Sequence, residues 1–388
     1  MLKKKILSLA ITAAVSVSFL ATGCGASNQN SSQSSSIKPA TINLYSGGSE
    51  NVRTTWEQVI KAFKAKYPQI TVNLQFIASG PSAQSAVDKE IASEKAGETE
   101  TDMDIVEVSD SDIAKLFKAA GKDSVVTLSK DKIPNMKDIK FQSSVGQDKA
   151  LVFRGTTVVL AYNSDKVKDV PKTDKELYDW IKSHPGRFAY NDPTTGGSGD
   201  AFLITSVYNS LPQEAITSDD PKWEQQWDTG FNLLKELHPY MYKASGKVQY
   251  PVKNQGTLDL LANGQVDMIP AWADMALDQL SKGTLPKSIK ITQISPSFTG
   301  GVQSLVIPAK SKNKEAAEIF LNFAASSDGQ KIFMDSMKAL PIIDTSKLPK
   351  ESVDMLAGLK IKDFRVNSLG DLSKDIHKRW QDQIATLK

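Results

Sequence analysis

Lys149-Ala-Leu-Val-Phe-Arg154-Gly-Thr-Thr-Val-Val-Leu-Ala-Tyr-Asn163 is the stretch on which the fold turns. It is one long β-rich run with Arg154-Gly155 near its middle. A strand of this length exceeds what a single small sheet ordinarily uses. It can instead pass from one lobe of the molecule to the next, with Gly155 as the flexible joint. On its N-terminal side strand and helix signals alternate. Thr41–Tyr45 is a short β-rich run, and Glu50–Tyr67 places Val52, Trp56, Val59, Ile60 and Phe63 on one helical face before Pro68. Thr71–Ile77 alternates apolar and polar residues as a half-exposed strand does. Ala83–Lys95 reads as a helix, Asp104–Val108 as a buried strand, and Ser111–Ala120 as a helix closed by Gly121.

A second alternating region follows the long run. It predicts a strand near Arg187–Tyr190, a helix after Gly199, a long helix over Trp223–Leu237 and a strand at Val266–Ile269. Gly301–Ile307 is a further β run that returns the chain. Helices are predicted over Lys314–Ala325, Asp328–Met337, Val353–Leu359 and Asp371–Leu387. Asn313 is the expected cap of the first of these, and Ser327 with Gln330 the capping box of the second. Such alternation builds a mainly parallel sheet covered by helices, an α/β fold.

The chain has 388 residues, enough for two compact lobes. Its 47 Lys and Arg against 44 Asp and Glu provide no basic field for nucleic acid. The one cysteine, Cys24, excludes a disulfide scaffold and a thiolate metal cluster. Met1–Lys5 is basic, Ile6–Ala21 is apolar without charge, and Thr22-Gly23-Cys24 follow. This describes an export signal, too short for a membrane span. Ala21-Thr22-Gly23-Cys24 resembles a bacterial lipobox, although the usual leucine three places before the cysteine is Ala21. The resemblance implies cleavage after Gly23 and lipidation of Cys24. Gly25–Ser36 is nearly all Gly, Ser, Asn and Gln, a flexible tether of about 20 Å mean span.

Ser311-Lys-Asn-Lys-Glu-Ala-Ala-Glu-Ile-Phe-Leu-Asn-Phe323, followed by Ser326-Ser-Asp-Gly-Gln-Lys-Ile-Phe333, resembles the paired helices near the end of extracellular solute-binding proteins of bacterial ABC importers. Asn43–Gly48, the run ending Val159–Asn163, Tyr190–Phe202 and Asn263–Met268 resemble other segments of that family, in the same order. The resemblance implies two Rossmann-like α/β lobes joined by crossing hinge strands, the type II periplasmic-binding-protein-like fold, closing on a ligand. The expected organisation is a signal peptide over 1–23, lipidated Cys24 and tether over 24–39, a first lobe over 40–154, a second over 155–298, and a return with C-terminal helices over 299–388. It also implies delivery of a solute to ABC permease subunits by a monomer held at the outer face of the cytoplasmic membrane by its lipid.

Two loops share one chemical design. Ser46-Gly47-Gly48 follows the first strand, and Thr195-Gly196-Gly197-Ser198 opens a later helix. Glycines admit a ligand to backbone N–H groups, and a helix N-terminus favours negative charge. One loop from each lobe would then grip an anionic or polar group. The plainer alternative is a pair of turns with N-caps. Trp272 is a stacking wall or a core residue, and Asp274 a cation partner or a cap. Asp110 ends a strand in the same position and is a binding group or a first-turn acid. Arg154 meets an anion or bridges the lobes. These residue types suit a phosphorylated, zwitterionic or cationic organic solute of thiamine, polyamine or phosphonate type. His184, His238 and His377 form no metal-ligand spacing, and Gly196–Asp200 fails the nucleophile-elbow pattern. No enzyme, cofactor or metal is expected. The alternatives are a secreted lipid-anchored hydrolase and a sugar-binding member of the same fold.

Overall fold

Apolar spacing and capping account for most elements of the computed structural model, which describes residues 37–78, 85–354, 356, 359, 363 and 365–387. The expected signal peptide over 1–23, Cys24 and residues 25–36 of the tether lie outside the described residues. Strand β1 (Ala40–Gly48) leads into helix α1 (Glu50–Lys66), β2 (Ile70–Ala78), α2 (Ala86–Lys95), β3 (Ile105–Ser109) and α3 (Asp110–Ala120). The face of α1 predicted from spacing buries Val52, Trp56, Val59 and Phe63. Full burial of such side chains stabilises by roughly 1.5–3 kcal/mol each. Helix α3 is opened by a reciprocal Ser109–Asp112 capping box and closed by Gly121 at φ 82°, where a glycine adopts the left-handed region without strain.

Strand β4 (Leu151–Asn163) is followed by α4 (Asp174–Ser183), α5 (Gly197–Tyr208), α6 (Asp228–Leu237), the short hairpin β5 (Lys243–Ala244) and β6 (Lys247–Val248), and α7 (Lys253–Ala262). Then come β7 (Met268–Trp272), α8 (Ala273–Lys282), β8 (Ile289–Thr292), β9 (Thr299–Val306), α9 (Lys314–Ala324), α10 (Ser327–Met337), α11 (Lys350–Asp354), β10 (Arg365–Val366) and α12 (Leu372–Trp380).

The main sheet runs β2-β1-β3-β9-β4-β7, with β10 beside β9 and β8 beside β4. Strands β1, β2 and β3 are parallel, and β9 returns antiparallel to β3. The long strand β4 serves two neighbourhoods. Leu151–Thr157 pairs with β9, Val158–Tyr162 with β7, and Leu160–Asn163 with β8. The change of partner falls at Thr157–Val158, just beyond the Arg154-Gly155 joint that the sequence suggests. Gly155 is tied on its other edge too: its N–H donates to Leu340 O at 2.9 Å, and its carbonyl accepts from Leu340 N at 3.1 Å. The irregularity in β4 is a register shift between Val152 and Arg154.

Each neighbourhood has its own core. Trp56, Phe153, Phe320 and Phe333 pack together in the first, with Trp56 and Phe333 edge-on at 5.2 Å. Phe188, Tyr190, Phe202, Trp227, Phe231 and Trp380 are buried in the second. The return segment divides between them. Helices α9 and α10 pack with α1, whereas Leu372, Ile376, Trp380 and Ile384 close the second core. Because β4 and β9 belong to both neighbourhoods, Lys38–Lys388 is one compact unit.

Several local expectations change in three dimensions. Phe188 makes only single bridges to Met241 and Met268, so no strand forms over Arg187–Tyr190. The helix expected over Trp223–Leu237 is a 3₁₀ turn at Pro221–Gln226 followed by α6, the turn being capped by Asp220. Helix α10 is capped by Ser326, whose Oγ accepts from Gly329 N at 3.2 Å, and the expected Ser327–Gln330 box is absent. Gln330 is instead buried: its Nε2 donates to Phe153 O and Ala324 O, and its Oε1 accepts from Ile342 N at 3.1 Å. Asn313 stands at the start of α9 without capping it, its Nδ2 donating to Asp104. Helix α4 passes unnoticed in the sequence although Thr173 caps it through Glu176 N.

Candidate functional site

Glu107 is the one charged residue of β3, in the run Ile105-Val-Glu-Val-Ser109. A carboxylate inside an apolar strand must find donors. It finds three. Ser46 Oγ donates to Oε2 at 2.5 Å, Trp56 Nε1 to Oε2 at 2.9 Å, and Arg154 Nη2 to Oε1 at 3.1 Å. The Arg154 and Glu107 side chains are 9% and 5% exposed, so this ion pair is withdrawn from water. Arg154 arrives there because the register shift in β4 precedes it.

Ser46, Glu107 and Arg154 line an inner cavity of about 310 Å³ with Gly47, Ile77, Ser85, Asp112 and Gln303. Gly47 is required on steric grounds: a Cβ there would lie 2.9 Å from Ile77 O. An outer cavity of about 270 Å³ adjoins it through Gln303. Its walls come from the β3–α3 corner (Ser109, Asp110, Ser111), from β4 (Thr156), from β9 (Gly300–Gln303), and from Asp200 of α5 and Trp272 of β7. Elements of both neighbourhoods thus face one space across the strands they share.

Ser46, Gly47 and Arg154 meet in the inner cavity, and Asp110 and Trp272 in the outer one. Gly48, Thr195, Gly197, Ser198 and Asp274 line neither. The two Gly-Ser loops therefore do not present a matched pair of free hydroxyls. Ser46 Oγ is committed to Glu107. Ser198 is fully buried, and its Oγ donates to Asn191 Oδ1 at 2.7 Å and to Asn254 Oδ1 at 3.0 Å. Thr195 Oγ1 donates to Asp192 O and accepts from Lys253 N, both at 2.9 Å. Gly197 carries the indole of Trp272: a Cβ there would meet its ring at 2.8 Å. Gly48, at φ 136°, packs on Val52.

Asp110 accepts from Ser143 Oγ, from Ser144 N at 3.1 Å and from Ser144 Oγ at 2.6 Å. Its carboxylate anchors residues 143–144 to the start of α3, and the residue lines the outer cavity. Asp274 lies in the first turn of α8 and accepts from Met275 N at 3.0 Å. Burial pushes its carboxyl above the usual range, opposed by the nearby Arg154 charge. Asp200 Oδ1 meets His377 Nε2 of α12 at 2.6 Å. Among the described residues, no group of three or more His, Cys, Asp or Glu is placed to hold a metal ion.

Glu107, Gln303, Thr156 and Asp200 are site residues that sequence reasoning misses. Only Glu107 carries a signal, as a lone charge in an apolar strand. A larger cavity, about 1190 Å³, meets the outer one at Val366 and extends around Tyr208–Thr217, Thr292–Ser297 and Arg365. Its charged walls balance, with Lys172 and Arg365 against Glu214 and Asp363.

Residues 58–359 match the family model described as bacterial extracellular solute-binding protein, and the chain belongs to that family, one of binding proteins rather than enzymes. Protein YnjB of Escherichia coli (strain K12) is 25% identical over 233 residues, covering 56% of this chain and 58% of that protein. A maltooligosaccharide ABC transporter solute-binding lipoprotein of Streptococcus pneumoniae is 24% identical over 242 residues, covering 54% of this chain and 52% of that protein. The chain thus spans about half the length of the curated relatives it matches. The crystal structure of an extracellular solute-binding protein from Bordetella parapertussis superposes with a TM-score of 0.68 at 14% identity, covering 89% of this chain and 98% of that one. The likeness shows the type II periplasmic-binding-protein-like fold.

Proposed function

We propose that this member of the bacterial extracellular solute-binding proteins captures a neutral or positively charged organic solute in the cleft between its two α/β halves and hands it to the permease of an ABC importer. One observation carries the choice of solute. Among the described residues lining the outer cavity, the formally charged ones are Asp110 and Asp200, and no lysine or arginine joins them. Among the described residues lining the inner cavity the one cationic side chain is Arg154, which is already answered by Glu107. A phosphate or phosphonate entering here meets carboxylates with no unspent cation to offset them. Trp272 adds an aromatic wall that suits a ring or an ammonium group.

Capture works by population shift. A solute touching both halves favours the closed arrangement by its differential affinity for it. The hinge is the pair β4 and β9, which both halves share. Cys24 carries the lipid that holds the chain at the outer membrane face, a reading supported by the lipobox-like Ala21–Cys24 and by the lipoprotein named among its relatives.

Native mass spectrometry of freshly purified protein, followed by a thermal-shift panel of putrescine, thiamine, maltose and methylphosphonate, tests the binding reading. A ligand specific to the folded form raises the melting temperature. The expected result is a rise with at least one cationic or neutral compound and none with methylphosphonate. A rise with methylphosphonate alone, or no retained mass and no rise at all, overturns the proposal.

A further inference from the structure

The inner cavity contains more polar chemistry than a bridge between strands requires. Glu107 takes donors from Ser46, Trp56 and Arg154. Arg154 spends Nη2 on that carboxylate, yet its Nε is buried and has no hydrogen-bond partner among the described residues. A guanidinium N–H withdrawn from water and left unmatched carries a desolvation cost that an acceptor in the adjoining cavity removes. Arg154 lines that cavity, beside the amide of Gln303.

The charge arrangement says what kind of acceptor. An anion entering the cavity meets Glu107 and Asp112, and a cation meets Arg154. Either sign faces a like charge at the cavity wall. An uncharged oxygen faces neither penalty. A hydroxyl or primary amide accepts from Arg154 Nε and donates in turn to Gln303 Oε1 or to the remaining lone pairs of Glu107. At about 310 Å³ the space admits one small end of a solute.

We propose that the Ser46–Glu107–Arg154 cavity is a subsite for an uncharged hydroxyl- or amide-bearing end of the solute, read by Arg154 Nε and Gln303, with Glu107 as the positioning residue. This deepens the cleft reading above and rests on it. The solute is accordingly two-ended, its body against Trp272 and Asp200 and its neutral polar end at Arg154.

The test is nuclear magnetic resonance of the arginine Nε–H signals in the ¹⁵N-labelled protein, Arg154 being assigned by its disappearance in Arg154→Lys. Acetamide, glycerol, acetate and methylammonium are titrated at equal ionic strength. Acetamide or glycerol is expected to shift the Arg154 signal saturably, with acetate and methylammonium at least tenfold weaker. Gln303→Ala keeps the ion pair and is expected to weaken the acetamide response about tenfold. Should Arg154→Lys fail to fold, the Arg→Lys variants at Arg53, Arg187, Arg365 and Arg379 assign the other four signals and leave that of Arg154 by elimination. A larger response to acetate, an unchanged response in Gln303→Ala, or no response to any probe overturns the subsite. A silent Arg154 with a positive thermal-shift panel sinks the subsite alone. A responsive Arg154 with a negative panel and no retained mass sinks the transport reading alone.

Discussion

Buried carboxylates of this chain have different fates according to their partners. Glu107 is held by an arginine, an indole N–H and a hydroxyl. Glu90, on α2, is 1% exposed and accepts from the Thr101 hydroxyl at 3.4 Å, with no cation in contact among the described residues. Burial, then the neighbouring Glu94 charge, pushes its carboxyl from the ordinary 4.5 up to about 7, against the weaker pull of Thr101 and Lys310. Its Oε1 has no partner among the described residues. A raised acid is favoured in its protonated form by folding. Its contribution is therefore whole below about pH 4.5 and is lost as pH climbs through 7, a change of up to about 3 kcal/mol. Glu90→Gln keeps the shape and removes the titration. Urea unfolding at pH 5 and pH 8 is expected to show the variant gaining on the wild type by up to that amount at the higher pH. Equal pH dependence in both proteins refutes this account of Glu90.

Helix starts and helix contacts obey geometry that composition only partly encodes. The text around α10 offers two adjacent serines, and either fits a cap. Only Ser326 does so, because Gln330, the partner Ser327 would need, is drawn into the core to tie Phe153, Ala324 and Ile342 together. Ser326→Ala is expected to cost about 1 kcal/mol in chemical unfolding and Ser327→Ala much less. Reversal of that order would restore the cap to Ser327. Gly230 of α6 poses a contest of two effects. Alanine is the better helix former by about 1 kcal/mol. A Cβ there would however lie 2.3 Å from Val207 Cα on α5, and backbone cannot yield as a side-chain tip does. Overpacking costs about 1–3 kcal/mol and wins, so Gly230→Ala is expected to lower stability. A neutral or stabilising result in the same assay refutes the close α5–α6 approach.

At the scale of the whole molecule, the chain visits its two cores out of sequence order. It leaves the first through β4, returns through β9, and sends α12 back to the second. There Trp380 Nε1 donates to Tyr190 OH at 2.9 Å, and its ring stands edge-on to Tyr250 at 4.9 Å. The last helix is therefore a core element. Trp380→Ala is expected to destabilise by about 3–5 kcal/mol, from the cavity left in the core and the lost hydrogen bond to Tyr190. A loss below about 1 kcal/mol, read by calorimetry or denaturant titration, contradicts this docking.

Local periodicity alone determined the alternation of strand and helix, the buried face of α1, the glycine-closed end of α3, and the long run that becomes β4, because each depends on residues close in sequence. Residue types likewise marked Ser46, Gly47 and Trp272 as chemistry near strand ends and Arg154 at the joint of the long run. Tertiary structure alone decided which of them share a space. Glu107 draws Ser46 and Arg154 together across strands far apart in sequence, Asn191 and Asn254 consume Ser198, and α12 joins the second core. Long-range hydrogen bonds and packing choose among partners that a linear text offers equally, since a buried polar group binds whichever donor the fold brings within about 3 Å.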